Sequence, residues 1–151
     1  LGHGIGDEIL QLVARRLEAV VRDSDTVSRH SGDEFLVLLT EVAQASDAAL
    51  IAAKMLYVLS AASHVGAHVL HLSTSIGIAI YPEDGEDADT LIAKADAAMY
   101  SSKRSGRSGN ALARVNQQVE LGGRWQARHI GDRDYRMALI LKHFTERYQG
   151  I

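Results

Sequence analysis

The residue pattern between Leu70 and Ile80 constrains the fold of this chain more than any other feature. Large apolar side chains fall on alternate positions: Leu70, Leu72, Ile76, Ile78 and Ile80. Small or polar residues occupy the positions between them. A period of two is typical of a β-strand with one face turned to a hydrophobic core. A long strand needs partners for its backbone hydrogen bonds, so the chain is expected to contain a sheet.

Two other segments, residues 5–21 and a stretch that begins near Asp89, have the spacing of three and four between apolar residues that is typical of helices. Residues 46–62 are rich in Ala and Leu and contain no Gly or Pro, which favours another helix. We expect Asp89 to be the N-cap of the third helix, and Gly106 and Gly109 to end it.

Two short strand-like runs, 26–29 and 34–40, flank the segment 30–33, which has the composition of a tight hairpin turn. The apolar run 35–39 is typical of a strand buried on both faces. Helix, hairpin, helix, strand and helix in that order predict an α/β sandwich, with helices covering a mostly antiparallel sheet.

Composition and charge exclude several classes of protein. The 151 residues are 46% hydrophobic and 23% charged, which is the balance of a globular domain, and there is no cysteine for a disulfide or a thiolate metal site. Residues 1–107 hold nine Lys or Arg against fifteen Asp or Glu, which argues against a nucleic-acid surface. No apolar run approaches the roughly 20 residues that span a bilayer, so we expect a cytoplasmic segment without membrane contact.

Asp33 and Glu34 are the first candidates for chemistry. They follow a glycine at the expected hairpin tip and precede an apolar strand. Carboxylates on a tight turn can hold a hard cation such as Mg²⁺ and prepare a phosphoryl or nucleotidyl transfer. An Asp-Glu pair on a hairpin is also a common solvated turn, and the pair alone leaves both interpretations open.

Five sequence blocks, in order, favour the first interpretation. They are Gly2-His3-Gly4-Ile5-Gly6-Asp7, Asp25-Thr26-Val27-Ser28-Arg29, Ser31-Gly32-Asp33-Glu34-Phe35, Ser75-Ile76-Gly77-Ile78-Ala79, and Ala95-Asp96-Ala97-Ala98-Met99-Tyr100, which runs into 103–107. Together they resemble the GGDEF domain of diguanylate cyclases, with Ser31 in place of the first glycine of the signature. The resemblance covers about residues 1–107 and implies the palm-like nucleotidyl cyclase sandwich.

The resemblance also implies roles for residues at matching positions. Asp33 corresponds to the acid that binds Mg²⁺ or Mn²⁺ and takes part in proton transfer, and Glu34 to its supporting acid. His3 and Asp7 correspond to contacts with the base and ribose of GTP. Lys103 and Arg107 correspond to cations on the terminal phosphates, and Gly32 allows close approach of the backbone to the nucleotide.

Each of these residues also has a structural explanation. His3 could be a surface or helix-capping residue, and Asp7 a first-turn acid favoured by the helix dipole. Lys103 and Arg107 could be a basic helix C-terminus favoured by the same dipole.

Arg22 and Asp25 form an Arg-x-x-Asp pattern just before the hairpin. This pattern resembles the inhibitory site of the family, where the cyclic product binds away from the active site. Arginine can stack on guanine or fork onto phosphate, and Asp25 can accept hydrogen bonds from guanine nitrogens. An exposed charged helix end is the other interpretation.

The match to the family is incomplete at both ends. The family's first strand with its metal-binding Asp, and the following Phe-Lys-x-x-Asn-Asp segment, have no counterpart here. We therefore expect a GGDEF domain over 1–110 that lacks its first strand, leaving an interior edge of the sheet unpaired. Residues 111–151 are expected to form an unmatched basic tail with a helix over about 133–149, not a strand that replaces the first one.

The resemblance leads to three functional hypotheses. The first is a diguanylate cyclase, a homodimer in which two Mg-GTP molecules condense into cyclic di-GMP with release of pyrophosphate. The second is an inactive module that binds GTP or cyclic di-GMP and regulates a partner. The third is a structural fragment without a ligand. A longer protein could carry a membrane anchor before residue 1.

Overall fold

The computed structural model describes residues 3–105, 119–121 and 137–148. Within them lie three helices, α1 (His3–Glu18), α2 (Ala45–Ser60) and α3 (Ala88–Ser105). The strands are β1 (Thr26–Ser31), β2 (Glu34–Leu39), β3 (Ser63–Val65), β4 (His68–Tyr81), β5 (Val119–Leu121) and β6 (Met137–Tyr148).

These strands form one sheet with the order β1-β2-β6-β4-β3. The short strand β5 pairs in parallel with β4 at Ile76–Ile78, and all other pairs are antiparallel. The predicted α/β sandwich with a mostly antiparallel sheet is confirmed. The sequence pattern does not predict β3, a three-residue strand joined to β4 by a turn in which Gly66 has a φ of 59°.

One face of the sheet carries the larger hydrophobic core. Helix α1 contributes Ile9, Val13 and Leu17, which are buried against α2 and the sheet. The sheet presents its apolar alternate residues to these helices: Phe35, Val37 and Leu39 from β2, and Leu70, Leu72, Ile76, Ile78 and Ile80 from β4. The side chain of Arg16 donates to the carbonyls of Ala61 (3.1 Å) and Ala62 (3.4 Å), which ties α1 to the end of α2.

The opposite face of β4 is also covered, so the expectation of a single core face was too simple. Ala79 packs with Leu91, Ala95 and Met99 of α3 in a second apolar cluster. Half-buried Leu36 of β2 joins this cluster, which agrees with the prediction that β2 is covered on both faces.

The close contact between β4 and α3 occurs at Gly77. A Cβ atom on Gly77 would lie 1.8 Å from the carbonyl oxygen of Ala95 and 2.8 Å from the amide nitrogen of Met99. Two of the five sequence blocks therefore meet here, and their small residues serve the packing of a helix on a strand.

The C-terminal strand β6 overturns the expected helix over 133–149. It pairs with β2 from Glu34↔His143 to Leu39↔Ala138, and with β4 from Leu70↔Tyr148 to Tyr81↔Met137. The apolar run 137–141 suits a helix face as well as an interior strand, and periodicity cannot distinguish the two for a short run. The unpaired backbone groups of β2 and β4 decide in favour of the strand.

The interior place in the sheet is consequently filled within the described residues. The expected unpaired edge between the hairpin and β4 does not occur there, and the strand that fills it comes from the tail. The expectation that the tail would not replace an interior strand was wrong, because β6 pairs with both β2 and β4.

The third helix begins one residue after Asp87, which is its N-cap in place of the predicted Asp89. The Asp87 carboxylate accepts hydrogen bonds from the amide of Thr90 (2.8 Å) and from its hydroxyl (2.7 Å). Both bonds lower the pKa of Asp87 from its ordinary value of 3.8, and the bond from the amide has the larger effect. The predicted stop at Gly106 and Gly109 lies outside the described residues.

Helix lengths and hydropathy bear on membrane contact. In the parts of the chain that the structure describes, no helix combines the length and the apolar character that crossing a bilayer requires.

Candidate functional site

The acidic pair lies where the sequence predicts it, at the tip of the β1–β2 hairpin. Gly32 and Asp33 form the connection between the paired residues Ser31 and Glu34. Gly32 has a φ of 47°, in the left-handed region that glycine adopts without steric cost. Asp33 and Glu34 are both half-buried. The turn therefore brings two carboxylates to the end of a strand that is otherwise apolar.

The side chains of Arg29 and Ser31, for which the sequence predicts no role, hold this turn. The Arg29 guanidinium donates from Nε to the carbonyl oxygen of Gly32 (2.8 Å). The Ser31 hydroxyl donates to Oε2 of Glu34 (3.0 Å). The serine that departs from the family signature therefore contacts one of the two candidate acids. The sequence signal for Arg29 and Ser31 is that both belong to blocks that resemble the family.

Arg22 and Asp25 lie at the other end of the hairpin. Asp25 immediately precedes β1, and a six-residue strand separates it from Gly32. At about 3.3 Å per residue, the two ends of β1 are roughly 17 Å apart. The candidate product site and the acidic turn are thus distinct places joined by one strand.

Arg22 and Asp25 form a closed turn. The amide of Arg22 donates to Oδ2 of Asp25 (2.9 Å), and the amide of Asp25 donates to the carbonyl of Arg22 (3.0 Å). Arg22 is exposed, whereas Asp25 is half-buried. The alternative of a loose charged helix end does not describe Asp25, whose carboxylate is held by the backbone.

The other candidate residues lie on helices. Asp7 is exposed near the start of α1, and His3 is the first residue of that helix. Lys103 lies in the last turn of α3. Arg107 lies outside the described residues. The approach of His3, Asp7, Lys103 and Arg107 to the acidic turn stays a prediction.

The acidic turn supplies hard oxygen donors, but fewer than a closed metal site needs. Within 3–105, 119–121 and 137–148, no group of three or more His, Asp or Glu residues is arranged to hold a metal ion. Mg²⁺ is commonly bound through one or two carboxylates together with substrate phosphates. The turn fits a metal that arrives with a nucleotide better than a metal caged by protein alone.

The chain is an α/β sandwich with an acidic Gly-Asp-Glu turn between its first two strands, and comparison with known proteins names the family. The family model described as "Diguanylate cyclase, GGDEF domain" matches residues 1–109. The chain belongs to the GGDEF family.

Relatives with curated names are bacterial signalling proteins. The bifunctional diguanylate cyclase/cyclic di-GMP phosphodiesterase MucR of Pseudomonas aeruginosa is 39% identical over 148 residues, which cover 98% of this chain and 21% of MucR. The diguanylate cyclase TpbB of the same species is 39% identical over 117 residues, covering 77% of this chain and 27% of TpbB. The chain thus spans about a quarter of the length of these relatives.

A solved structure agrees with the fold. An EAL/GGDEF domain protein from M. capsulatus is 37% identical, with a TM-score of 0.70 over 82% of this chain and 74% of that one. Family, relatives and fold support a role in cyclic di-GMP signalling.

Proposed function

We propose that this chain is the nucleotide-binding part of a diguanylate cyclase, which condenses two GTP molecules into cyclic di-GMP and releases pyrophosphate. The observation that carries this proposal is the Gly32-Asp33-Glu34 turn, which presents two half-buried carboxylates at a hairpin tip in a chain of the GGDEF family. The relatives MucR and TpbB, both named as diguanylate cyclases, support it.

Asp33 would hold Mg²⁺ or Mn²⁺, with Glu34 beside it. Their oxygen donors suit both ions, and the nucleotide phosphates would complete the coordination. When bound, the metal supplies charge neutralisation and activation of the attacking 3′-hydroxyl. The protein orients the nucleotide and, at Asp33, accepts the proton of that hydroxyl.

The remaining residues of the proposed site recognise the two ends of GTP. Asp7 accepts from the guanine N1-H and N2-H groups, and His3 contacts the base or ribose. Lys103 and Arg107 neutralise the terminal phosphates. Each domain holds one GTP, so two copies of the domain must face each other for two condensations to occur.

Arg22 and Asp25 form the proposed inhibitory site for cyclic di-GMP. Arg22 is exposed and free to stack on guanine or to fork onto phosphate. The location of the turn, a strand's length from Asp33, suits a site that binds product without blocking the acidic turn.

A second candidate function is that of an inactive module that binds GTP or cyclic di-GMP. The interior strand β6 favours it. Where the family has a strand with a metal-binding Asp, β6 has Glu146 as its single acidic residue. The strand β6 therefore offers no Asp as a second metal ligand. A metal held less firmly would leave the α-phosphate slightly misplaced, which can cost about 100-fold in rate.

Product formation tests the two functions. We expect the 151-residue chain to make little or no cyclic di-GMP with Mg²⁺. A version extended at its N-terminus by a family strand with its Asp, and by the Phe-Lys-x-x-Asn-Asp segment, should make it. The Asp33→Ala variant of each is the control, and it should abolish synthesis by the extended chain.

Calorimetry separates the inactive module from a chain without a ligand. Binding of GTP or cyclic di-GMP without synthesis would establish the module. If neither nucleotide binds the 151-residue chain or the extended chain, both proposed functions are wrong. Robust, Asp33-dependent synthesis by the 151-residue chain would instead show that β6 or a second subunit completes the site.

A further inference from the structure

The Asp25 carboxylate is bound by backbone amides on two sides. Its Oδ2 accepts from the amide of Arg22 (2.9 Å), within its own turn. Its Oδ1 accepts from the amide of Thr40 (3.0 Å), which follows the last residue of β2. Asp25 therefore joins the loop after α1 to the far end of the hairpin.

Thr40 makes a second connection to the same turn through its side chain. Its hydroxyl donates to the carbonyl oxygen of Ser24 (3.3 Å) and lies 3.5 Å from Oδ1 of Asp25. Thr40 is half-buried, whereas Arg22 and Ser24 are exposed. The anchor of the turn is thus less accessible to water than Arg22 and Ser24.

The number of acceptor positions on Asp25 limits what a ligand can use. An ionised carboxylate offers about four lone-pair directions, and the two amides already take two of them. The carboxylate cannot turn toward a ligand without breaking one of these bonds. What it presents to a ligand is consequently determined by where Thr40 holds it.

We propose that Thr40 is a positioning residue for the Arg22–Asp25 site, fixing the orientation of the Asp25 carboxylate and of the backbone from which the Arg22 side chain extends. The ligand is a cyclic dinucleotide with guanine bases, so this inference rests on the proposed function. Thr40 lies outside the Arg-x-x-Asp pattern, and the sequence motif does not include it.

The test is the dissociation constant of cyclic di-GMP, measured by calorimetry on the full 151-residue chain. Thr40→Val keeps the amide bond and the shape of the side chain but removes the hydroxyl. We expect about fivefold weaker binding, the factor that one lost hydrogen bond typically gives. Thr40→Ser, which keeps the hydroxyl, should restore most of the affinity.

Two controls separate positioning from loss of fold. Thr26→Val makes the same change at an exposed residue at the start of β1 and should leave the affinity unchanged. Thermal unfolding should show every variant folded at the temperature of the titration. Recovery in Thr40→Ser but not in Thr40→Val is a result that general destabilisation does not produce.

The contrary outcomes are distinct. Wild-type affinity in Thr40→Val, or equally weak binding in Thr40→Ser, would overturn the assignment of Thr40 and leave the product site intact. A wild-type chain that binds GTP but shows no binding at millimolar cyclic di-GMP would overturn the product site and the role of Thr40 with it.

Discussion

Thr74 places a hydroxyl group inside the hydrophobic core. It lies on β4 between Leu72 and Ile76, on the face that packs against α1 and α2. The residue is 6% exposed, and its Oγ1 has no hydrogen-bond partner among the described residues. A buried hydroxyl without a hydrogen bond costs free energy because it has lost its contacts with water.

We therefore expect Thr74→Val to raise the free energy of unfolding by about 1 kcal/mol, since valine has the same shape without the hydroxyl. Urea denaturation measures the change, and Thr26→Val, at an exposed position, should have little effect. A decrease in stability for Thr74→Val would mean that the hydroxyl is hydrogen-bonded in solution.

The candidate site also shows what a sequence reveals about single residues. Gly32, Asp33 and Glu34 are contiguous, so a motif identifies them and a hairpin keeps them together. Thr40 and Asp25 are 15 positions apart and meet only because β1 pairs with β2. A contact of this kind follows from strand register, which residue types alone do not determine.

At the scale of elements, the packing of α3 on β4 depends on a residue without a side chain. We expect Gly77→Ala to lower the free energy of unfolding by about 1–3 kcal/mol, because the added Cβ meets the backbone of Ala95 and Met99 and the helix must move. Chemical denaturation checks the value.

Gly6→Ala on α1 is the matched control for Gly77→Ala. A Cβ at Gly6 meets nothing within 4 Å, and alanine favours a helix by up to about 1 kcal/mol relative to glycine. Equal effects of the two substitutions would contradict the close contact between α3 and β4.

The loop between β4 and α3 carries two acids whose pKa values shift in opposite directions. Burial raises the pKa of Asp84 above 3.8, although the Ile80 amide donates to its Oδ2 (2.7 Å). The hydrogen bonds from Thr90 lower the pKa of Asp87. Asp84 therefore favours the fold most when protonated, and Asp87 when ionised.

The pH dependence of the melting temperature follows from these signs. Asp84→Asn should raise the melting temperature at pH 7, and this gain should shrink as the pH falls through the raised pKa of Asp84. Asp87→Ala should lower the melting temperature at pH 7, and this loss should shrink below pH 3.8. Parallel curves for wild type and both variants would show that neither carboxylate is linked to folding.

At the scale of the whole molecule, the sequence predicted the three helices, the β1–β2 hairpin and the long strand β4. The apolar pattern of the long elements repeats often enough to identify them, and the turn residues 30–33 identify the hairpin. The strand β6 was predicted as a helix because its apolar run fits both periods. This segment is a strand because β2 and β4 each offer it a ladder of backbone hydrogen-bonding groups, which a helix would leave unpaired.

The place of β6 has a consequence for the order in which the molecule can form during synthesis on a ribosome. Glu34 of β2 is made 109 positions before its partner His143. From the end of β4 at Tyr81 until β6 begins at Met137, the hairpin and β4 have no strand between them, and the nascent chain carries two open ladders. Such edges pair readily with other chains, so β6, which is made after all the other described strands, closes the gap between β2 and β4.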